Sequence, residues 1–147
     1  MPYVRVWVHL VWSTKNREPV LGEEMRAGLF DHIRVNAREK GIYLDTIGGY
    51  VDHVHALISL GSDQTIAMVA RLIKGESSHW INQNSMTRGK FEWQEEYFAV
   101  SVSESVLGKV KEYIKGQEEH HRRRSFAEEF QEFIERYGFA GEGLKSA

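Results

Sequence analysis

The sequence predicts an α+β fold, a ferredoxin-like βαββαβ sheet with two helices on one face and a C-terminal helix over the open face. Three observations lead to this prediction. Four segments have the period of strands, three have the period of helices, and their order is strand, helix, strand, strand, helix, strand, helix. Since 147 residues can form a sizeable hydrophobic core and the chain has no internal repeat or linker, residues 1–147 are expected to form a single domain.

The first strand is predicted over Tyr3–Trp12, because apolar side chains alternate strictly with others there. Its apolar face holds Val4, Val6, Val8 and Leu10, and its other face holds Tyr3, Arg5, Trp7 and His9. Pro19 and Gly22 then interrupt the chain, and Glu23–Lys40 is predicted to be a helix that stops at Gly41. The apolar residues of this helix recur every four positions, at Met25, Leu29, Ile33 and Ala37.

Two further strands, Ile42–Ile47 and Tyr50–Leu60, are predicted to form an antiparallel hairpin around a turn at Gly48-Gly49. Residues two apart in a strand lie on the same face of the sheet. In the second strand of the hairpin the even positions form a continuous apolar face, namely Val54, Ala56, Ile58 and Leu60. The core therefore takes that face, and His53 and His55 point to the other side of the sheet.

The second half of the chain completes the motif. Gln64–Gln83 is predicted to be a helix and Asn82–Lys90 a loop, and Phe91–Ser103 contains the fourth strand. In that strand the expected inward residues are Phe98, Val100 and Val102, and the expected outward residues are Tyr97, Ala99 and Ser101. A last helix, capped by Ser103 or Ser105, is predicted to run through Gln117 to about Arg122. A shorter helix is predicted over Phe126–Tyr137, and 141–147 is expected to be a flexible tail.

Composition excludes several classes of site. The absence of cysteine rules out disulfides, zinc–thiolate sites and thiol nucleophiles. No apolar stretch approaches the ~18 residues that cross a bilayer and no signal-peptide pattern is present, so a cytoplasmic protein without a membrane partner is expected. The formal net charge is −2, but an acidic C-terminal segment masks basic residues elsewhere. Four of these are predicted contacts for nucleic-acid phosphates, with plain solvated side chains as the alternative: Lys15, Arg71, Lys74 and Lys109.

The two strand histidines indicate metal chemistry, because two neutral imidazoles side by side are half of a site for a divalent cation. On the last helix Tyr113 and Gln117 are spaced i, i+4 and share a face. If that face docks on the open sheet, the amide oxygen of Gln117 could be a third ligand, with His120 or His121 as the alternative. Such a donor set suits Mg²⁺ or Mn²⁺ with positions left for phosphate oxygens. A phenol is a poor nucleophile at neutral pH, and its attack on a phosphodiester is helped most by such a metal.

With these residues the chain resembles the single-tyrosine HUH transposases of small prokaryotic insertion sequences, the IS200-like family that includes the REP-associated tyrosine transposases. The HUH motif, His-hydrophobic-His, is matched by His53-Val54-His55, and Tyr113–His121 is similar to the helix that carries the family's tyrosine. Further matching segments extend the resemblance over residues 8–126, and they are His9–Lys15, Lys74–Ser78, Trp93–Tyr97 and Ser101–Ser103.

The resemblance implies a metal-dependent DNA transposase that cleaves and rejoins single-stranded DNA. His53, His55 and Gln117 would bind the cofactor, Mg²⁺ or Mn²⁺. Tyr113 would attack the DNA, forming a 5′-phosphotyrosine and releasing a 3′-hydroxyl. The resemblance also implies recognition of hairpins near the element ends, independence from ATP, and a homodimer in which the active site can be shared between subunits.

The alternative interpretation is a non-catalytic ferredoxin-like module that binds single-stranded nucleic acid or hairpins on an open aromatic sheet face. That face would consist of the strand side chains that the core does not use, namely Tyr3, Arg5, Trp7, His9, His53, His55, Tyr97 and Ser101. Because a monomer rarely leaves such a face bare, the last helix, a partner subunit or a nucleic acid is expected to cover it.

Overall fold

A computed structural model describes residues 2–121 together with Glu128, Gln131, Glu132 and Glu135. Its main elements follow the expected order: β1 (Val6–Ser13), α1 (Glu23–Glu39), β2 (Tyr43–Gly49), β3 (His53–Leu60), α2 (Ile66–Gln83), β4 (Phe98–Val102), α3 (Leu107–Lys115) and α4 (Gln117–His121). Short 3-10 turns lie at Lys15–Arg17 and Glu104–Val106. The predicted tail, 141–147, lies outside the described residues, as does most of the predicted helix Phe126–Tyr137.

The four strands form one antiparallel sheet in the order β2-β3-β1-β4, which confirms the predicted ferredoxin-like architecture. One face of the sheet packs against α1 and α2, because their apolar stripes and the even residues of β1 and β3 form a single core cluster. Its central members include Leu10, Leu29, Ala56 and Ile73. Within the described residues, no helix is long and apolar enough to cross a membrane.

The prediction of a turn at Gly48-Gly49 is wrong. Both glycines belong to β2 and pair with β3, and the chain turns over Tyr50–Asp52 instead. The backbone N–H of Tyr50 donates to the carbonyl of His53 at 3.0 Å and closes that turn. Gly48 has a different role, because a Cβ at this position would overlap the backbone carbonyl oxygen of Ile114. The glycine therefore allows α3 to approach β2 closely.

The predicted faces of the fourth strand are also wrong. Val100 lies opposite His9 and Val102 opposite Trp7, so the residues expected to face the main core share the face of the histidines. Tyr97 and Ala99, expected to point outward, pack against the main core instead. The alternation along β4 is misleading because apolar clusters cover both faces of the sheet.

The α3 helix covers the second face of the sheet, as expected for the last helix. Val110 and Ile114 pack there against Leu57 and Val102, with Trp7, Leu107 and Tyr113 around them. The helix is shorter than predicted at both ends. It begins at Leu107 after a 3-10 turn in which Ser103 makes no side-chain cap. It ends at Lys115, and the N–H of the following Gly116 donates to the backbone carbonyl of Glu112 at 2.9 Å. The continuation to about Arg122 is therefore a separate short helix, α4.

Candidate active site

The histidines of β3 lie between the sheet and α3. His53 and His55 are buried, with 0% and 2% of their surface exposed, and their rings meet edge to face with centroids 5.1 Å apart. The apolar residues between them and after them, Val54 and Ala56, belong to the core on the opposite face. The alternation of the strand therefore places both imidazoles where the sequence predicts them.

Both ring nitrogens of His53 have oxygen neighbours. Asp52 Oδ1 lies 2.8 Å from Nδ1, and Gln117 Oε1 lies 3.0 Å from Nε2. Both neighbours can only accept hydrogen bonds, and a neutral imidazole has one N–H to donate. The charged carboxylate of Asp52 is the stronger acceptor, so in the neutral ring Nδ1 carries the proton and donates to Asp52. The lone pair of Nε2 then faces Gln117. This is the arrangement in which a histidine is prepared to bind a metal through Nε2.

The side chain of Gln117 is held in one orientation. It is buried, with 1% exposed, and its Nε2 donates to the backbone carbonyl of Tyr113 at 3.2 Å. Its Oε1 is therefore the atom that faces His53. Adjacent ligands of an octahedral ion with bonds of about 2.1 Å lie about 3.0 Å apart. The distance of 3.0 Å between His53 Nε2 and Gln117 Oε1 matches that spacing, so these residues fit a small divalent cation.

Tyr113 lies beside His55 and His9 of its own chain. Its ring stands edge-on against His55, with centroids 5.5 Å apart, and against His9 at 6.1 Å. The tyrosine is placed there because the next residue of α3, Ile114, is buried against Leu57 on the sheet. The structure thus brings together the four residues singled out from the sequence for catalysis and metal binding.

Two contributors to this site were not predicted as site residues. His9 is completely buried on β1, and its Nε2 lies 2.9 Å from Nδ1 of His55. Asp52 orients His53 from the turn before β3. The first-strand motif contained His9, but only the register between β1 and β3 brings it to His55.

A buried arginine holds α4 in place. Arg26 of α1 is 5% exposed, and its guanidinium donates to the carbonyl of Leu21 at 2.7 Å and to the carboxylate of Glu118. The same guanidinium lies over the ring of Tyr50, 5.3 Å from its centroid. Because Glu118 directly follows Gln117, Arg26 anchors the segment that carries the third proposed ligand. In the sequence, a single arginine beside the apolar stripe of a helix does not predict this role.

The predicted phosphate contacts are spread over the surface. Lys15 pairs with Glu92 at 2.9 Å, which raises the pKa of the lysine. Arg71 and Lys74 line one groove of about 640 Å³ beside α2, and Lys109 is exposed on α3, one turn before Tyr113. Their contact with DNA stays a prediction.

Lys74 also has a structural role. Its ammonium donates to the backbone carbonyls of Gln94 and Glu95 at 2.7 and 2.8 Å, and burial lowers its pKa. Ser77, one turn along α2, accepts a hydrogen bond from the indole of Trp93 at 3.0 Å. Two of the segments that carry the family resemblance, Lys74–Ser78 and Trp93–Tyr97, are thus joined to each other.

The proposed ligand set relies on an amide. Among the described residues, no group of three or more histidine, cysteine or acidic side chains is arranged to hold a metal ion. The candidate site has two imidazoles and the oxygen of Gln117. The alternative third ligands, the side chains of His120 and His121, lie outside what the structure describes.

Comparison with known proteins gives a consistent result. A family model described as "Transposase IS200 like" matches residues 3–117. The chain is 31% identical over 114 residues to the ISDra2 transposase TnpA of Deinococcus radiodurans, with 74% of this chain and 81% of that protein covered. A crystal structure of a Deinococcus radiodurans R1 protein assigned as a transposase is similar, with a TM-score of 0.63, 28% identity, and coverage of 80% of this chain and 95% of that chain. A REP-associated tyrosine transposase bound to a REP hairpin shares the fold, with a TM-score of 0.58, 16% identity, and coverage of 78% of this chain and 67% of that chain.

Proposed function

Because the chain belongs to the family of IS200-like transposases, we propose that it cleaves and rejoins single-stranded DNA with Tyr113 as the nucleophile. Mg²⁺ or Mn²⁺ would be held by His53, His55 and Gln117. The observation that carries the proposal is the position of the Tyr113 ring, 5.5 Å from His55 in a site that also contains the convergent donors of His53 and Gln117.

In the proposed reaction the phenol oxygen of Tyr113 attacks the phosphorus of a DNA phosphodiester, and the bond from phosphorus to the 3′-oxygen breaks. The phenol loses its proton to solvent, and the departing 3′-oxygen gains one. The product is a 5′-phosphotyrosine ester with a free 3′-hydroxyl, and attack of a second 3′-hydroxyl on this ester rejoins the DNA. Since each step exchanges one phosphate ester for another, no ATP is needed. A bound cation would polarise the phosphate and stabilise the leaving oxygen.

The proposed substrate is single-stranded DNA whose ends form hairpins. The related fold of a REP-associated transposase bound to a REP hairpin supports this substrate class. A homodimer is part of the proposal, although Tyr113 already lies against His55 of its own chain. Size-exclusion chromatography with light scattering should give twice the chain mass of 17.0 kDa, and a single-chain mass at micromolar concentration would contradict the dimer.

The alternative, a non-catalytic module, would bind nucleic acid on an open aromatic sheet face. In the described chain α3 packs on that face through Val110 and Ile114. This packing supports the catalytic proposal, since a nucleic acid would have to displace the helix before it reached the sheet. Metal-independent binding that is unaffected by His53→Ala would favour the binding module.

The direct test uses labelled single-stranded oligonucleotides taken from the DNA on either side of the gene. Incubation with the protein and Mn²⁺ or Mg²⁺ should give a covalent protein–DNA adduct on a denaturing gel. Tyr113→Phe should abolish the adduct, and EDTA should do the same. Tyr43→Phe is the matched control, because this tyrosine is 61% exposed on β2 and should leave the adduct unchanged. An adduct formed by Tyr113→Phe at the wild-type rate would overturn the assignment.

A further inference from the structure

We propose that His9 is a positioning residue that fixes the tautomer and ring direction of His55, so that Nε2 of His55 is presented as the ligand atom. This inference rests on the proposed metal site. Nε2 of His9 lies 2.9 Å from Nδ1 of His55, and both side chains are buried. The two rings are tilted by 36° with their centroids 5.1 Å apart, so they meet through this nitrogen contact and are not stacked.

The hydrogen bond between His9 and His55 has two possible directions. Only one of them allows Nε2 of His55 to bind a cation. If His9 donated, Nδ1 of His55 would be the acceptor and Nε2 would carry the proton, and a protonated nitrogen cannot bind a cation. If His9 accepts, Nδ1 of His55 carries the proton and the lone pair of Nε2 is the donor for the metal. The second direction gives His55 the same tautomer that Asp52 gives His53 through its contact of 2.8 Å with Nδ1.

The two strand histidines are therefore oriented by different means. His53 is oriented by a carboxylate from the turn before β3, whereas His55 is oriented by a neutral imidazole from the neighbouring strand β1. The His9 ring also stands against Tyr113, with centroids 6.1 Å apart, so one side chain contacts both a proposed ligand and the proposed nucleophile. Such partners of metal ligands contribute about 10–100-fold to metal affinity.

Two substitutions of His9 distinguish a role in positioning His55 from a role in packing. His9→Phe keeps an aromatic ring but has no acceptor for Nδ1 of His55. His9→Gln has an amide oxygen that can accept the same hydrogen bond. We expect Mn²⁺ affinity, measured by calorimetry, to fall by about 10–100-fold in His9→Phe and to recover to within a few-fold of wild type in His9→Gln. The melting temperature of each variant measures the effect of the substitution on packing separately.

A spectroscopic readout tests the tautomer without any metal. Long-range ¹H–¹⁵N spectra of metal-free protein labelled at histidine, assigned with a His55→Gln variant, should report a proton on Nδ1 of His55 in wild type and in His9→Gln. In His9→Phe the Nε2-protonated tautomer should become populated.

The proposal is overturned if His55 is protonated on Nε2 in the wild type, or if folded His9→Phe binds Mn²⁺ with wild-type affinity. Equal weakening in His9→Gln and His9→Phe would assign His9 to packing alone and would also overturn it. If wild type binds no Mn²⁺, the proposed metal site fails, and the tautomer of His55 in the two variants still decides the role of His9.

Discussion

Replacement of Gly48 by alanine tests whether the close packing of α3 on β2 positions Tyr113. A Cβ at this position would overlap the carbonyl oxygen of Ile114 and would lie 3.1 Å from its carbonyl carbon and 3.2 Å from its Cγ2. Ordinary carbon contacts are about 3.5–4.0 Å. The obstacle is backbone and cannot rotate away, so relief requires α3 to move away from β2 by about 1 Å.

Two effects are expected from that displacement. Overpacking of this kind costs about 1–3 kcal/mol, which for a domain of this size lowers the melting temperature by about 2–12 °C. Because Tyr113 is adjacent to Ile114, the proposed nucleophile moves with the helix, and a misplacement of about 1 Å lowers the rate of a reaction on the order of 10²-fold. Calorimetry measures the first effect, and a time course of adduct formation measures the second.

The matched control is a glycine in a helix with room for a side chain. A Cβ on Gly28 of α1 would make an ordinary contact of 3.8 Å with the ring of Trp80. Gly28→Ala should raise the melting temperature, because alanine is favoured over glycine in helices by about 0.5–1 kcal/mol. Its adduct rate should equal that of wild type. If Gly48→Ala forms the adduct at the wild-type rate, the close packing of α3 on β2 does not position Tyr113, and the prediction is refuted.

Three further outcomes concern individual side chains. Asp52→Asn should weaken Mn²⁺ binding by about 10–100-fold, because the carboxylate that orients the neighbouring imidazole is replaced by an amide; titration calorimetry measures the loss. Arg26→Met should lower the free energy of unfolding by about 1.5–3 kcal/mol in urea titrations, because a buried guanidinium bonded to Glu118 and to a backbone carbonyl is lost. Glu92→Gln should remove a pH-dependent contribution to stability. Lys15 lowers the pKa of Glu92, so this contribution is present above the ordinary carboxyl value of 4.5 and is lost as the pH falls through the lowered pKa.

Each of these three predictions has its own control and its own contradicting result. Asp45→Asn removes a carboxylate that lies 3.3 Å from Lys111 and should leave Mn²⁺ binding unchanged, whereas wild-type affinity in Asp52→Asn would contradict the orienting role. Glu118→Gln should cost less stability than Arg26→Met, because the carboxylate is half exposed; the opposite order would contradict the account of the anchor. Parallel stability curves for Glu92→Gln and wild type as the pH falls would refute the effect of Lys15.

Alternation along one strand was enough to predict the placement of the histidines. In β3 the even residues are all apolar and belong to the core, so the side of His53 and His55 followed from the period of the strand. In β4 the same reasoning fails, because Val102 is buried against the α3 side of the sheet and Ala99 packs, partly buried, against the main core on the other side. Alternation identifies a buried face only where the other face is polar or exposed.

The remaining parts of the site depend on contacts between distant elements. His9 reaches His55 only through the pairing of β1 with β3, and Arg26 reaches Glu118 across 92 positions of the chain. The spacing of Tyr113 and Gln117 predicts a shared helix face. The break at Gly116 that separates α3 from α4 does not follow from the spacing of the apolar residues. The sequence therefore predicted the residues that lie together at the proposed site, whereas the side chains that contact and anchor them required the tertiary structure.

The residue that becomes linked to DNA is the most direct test of the proposed function. The adduct formed with a labelled oligonucleotide can be digested with nuclease and trypsin and then analysed by mass spectrometry. The account predicts that the tryptic peptide Glu112–Lys115, which contains Tyr113, carries a nucleotide joined through its 5′-phosphate. It also predicts that the released DNA fragment ends in a 3′-hydroxyl. A nucleotide on any other peptide, or a linkage through the 3′-phosphate, would contradict it.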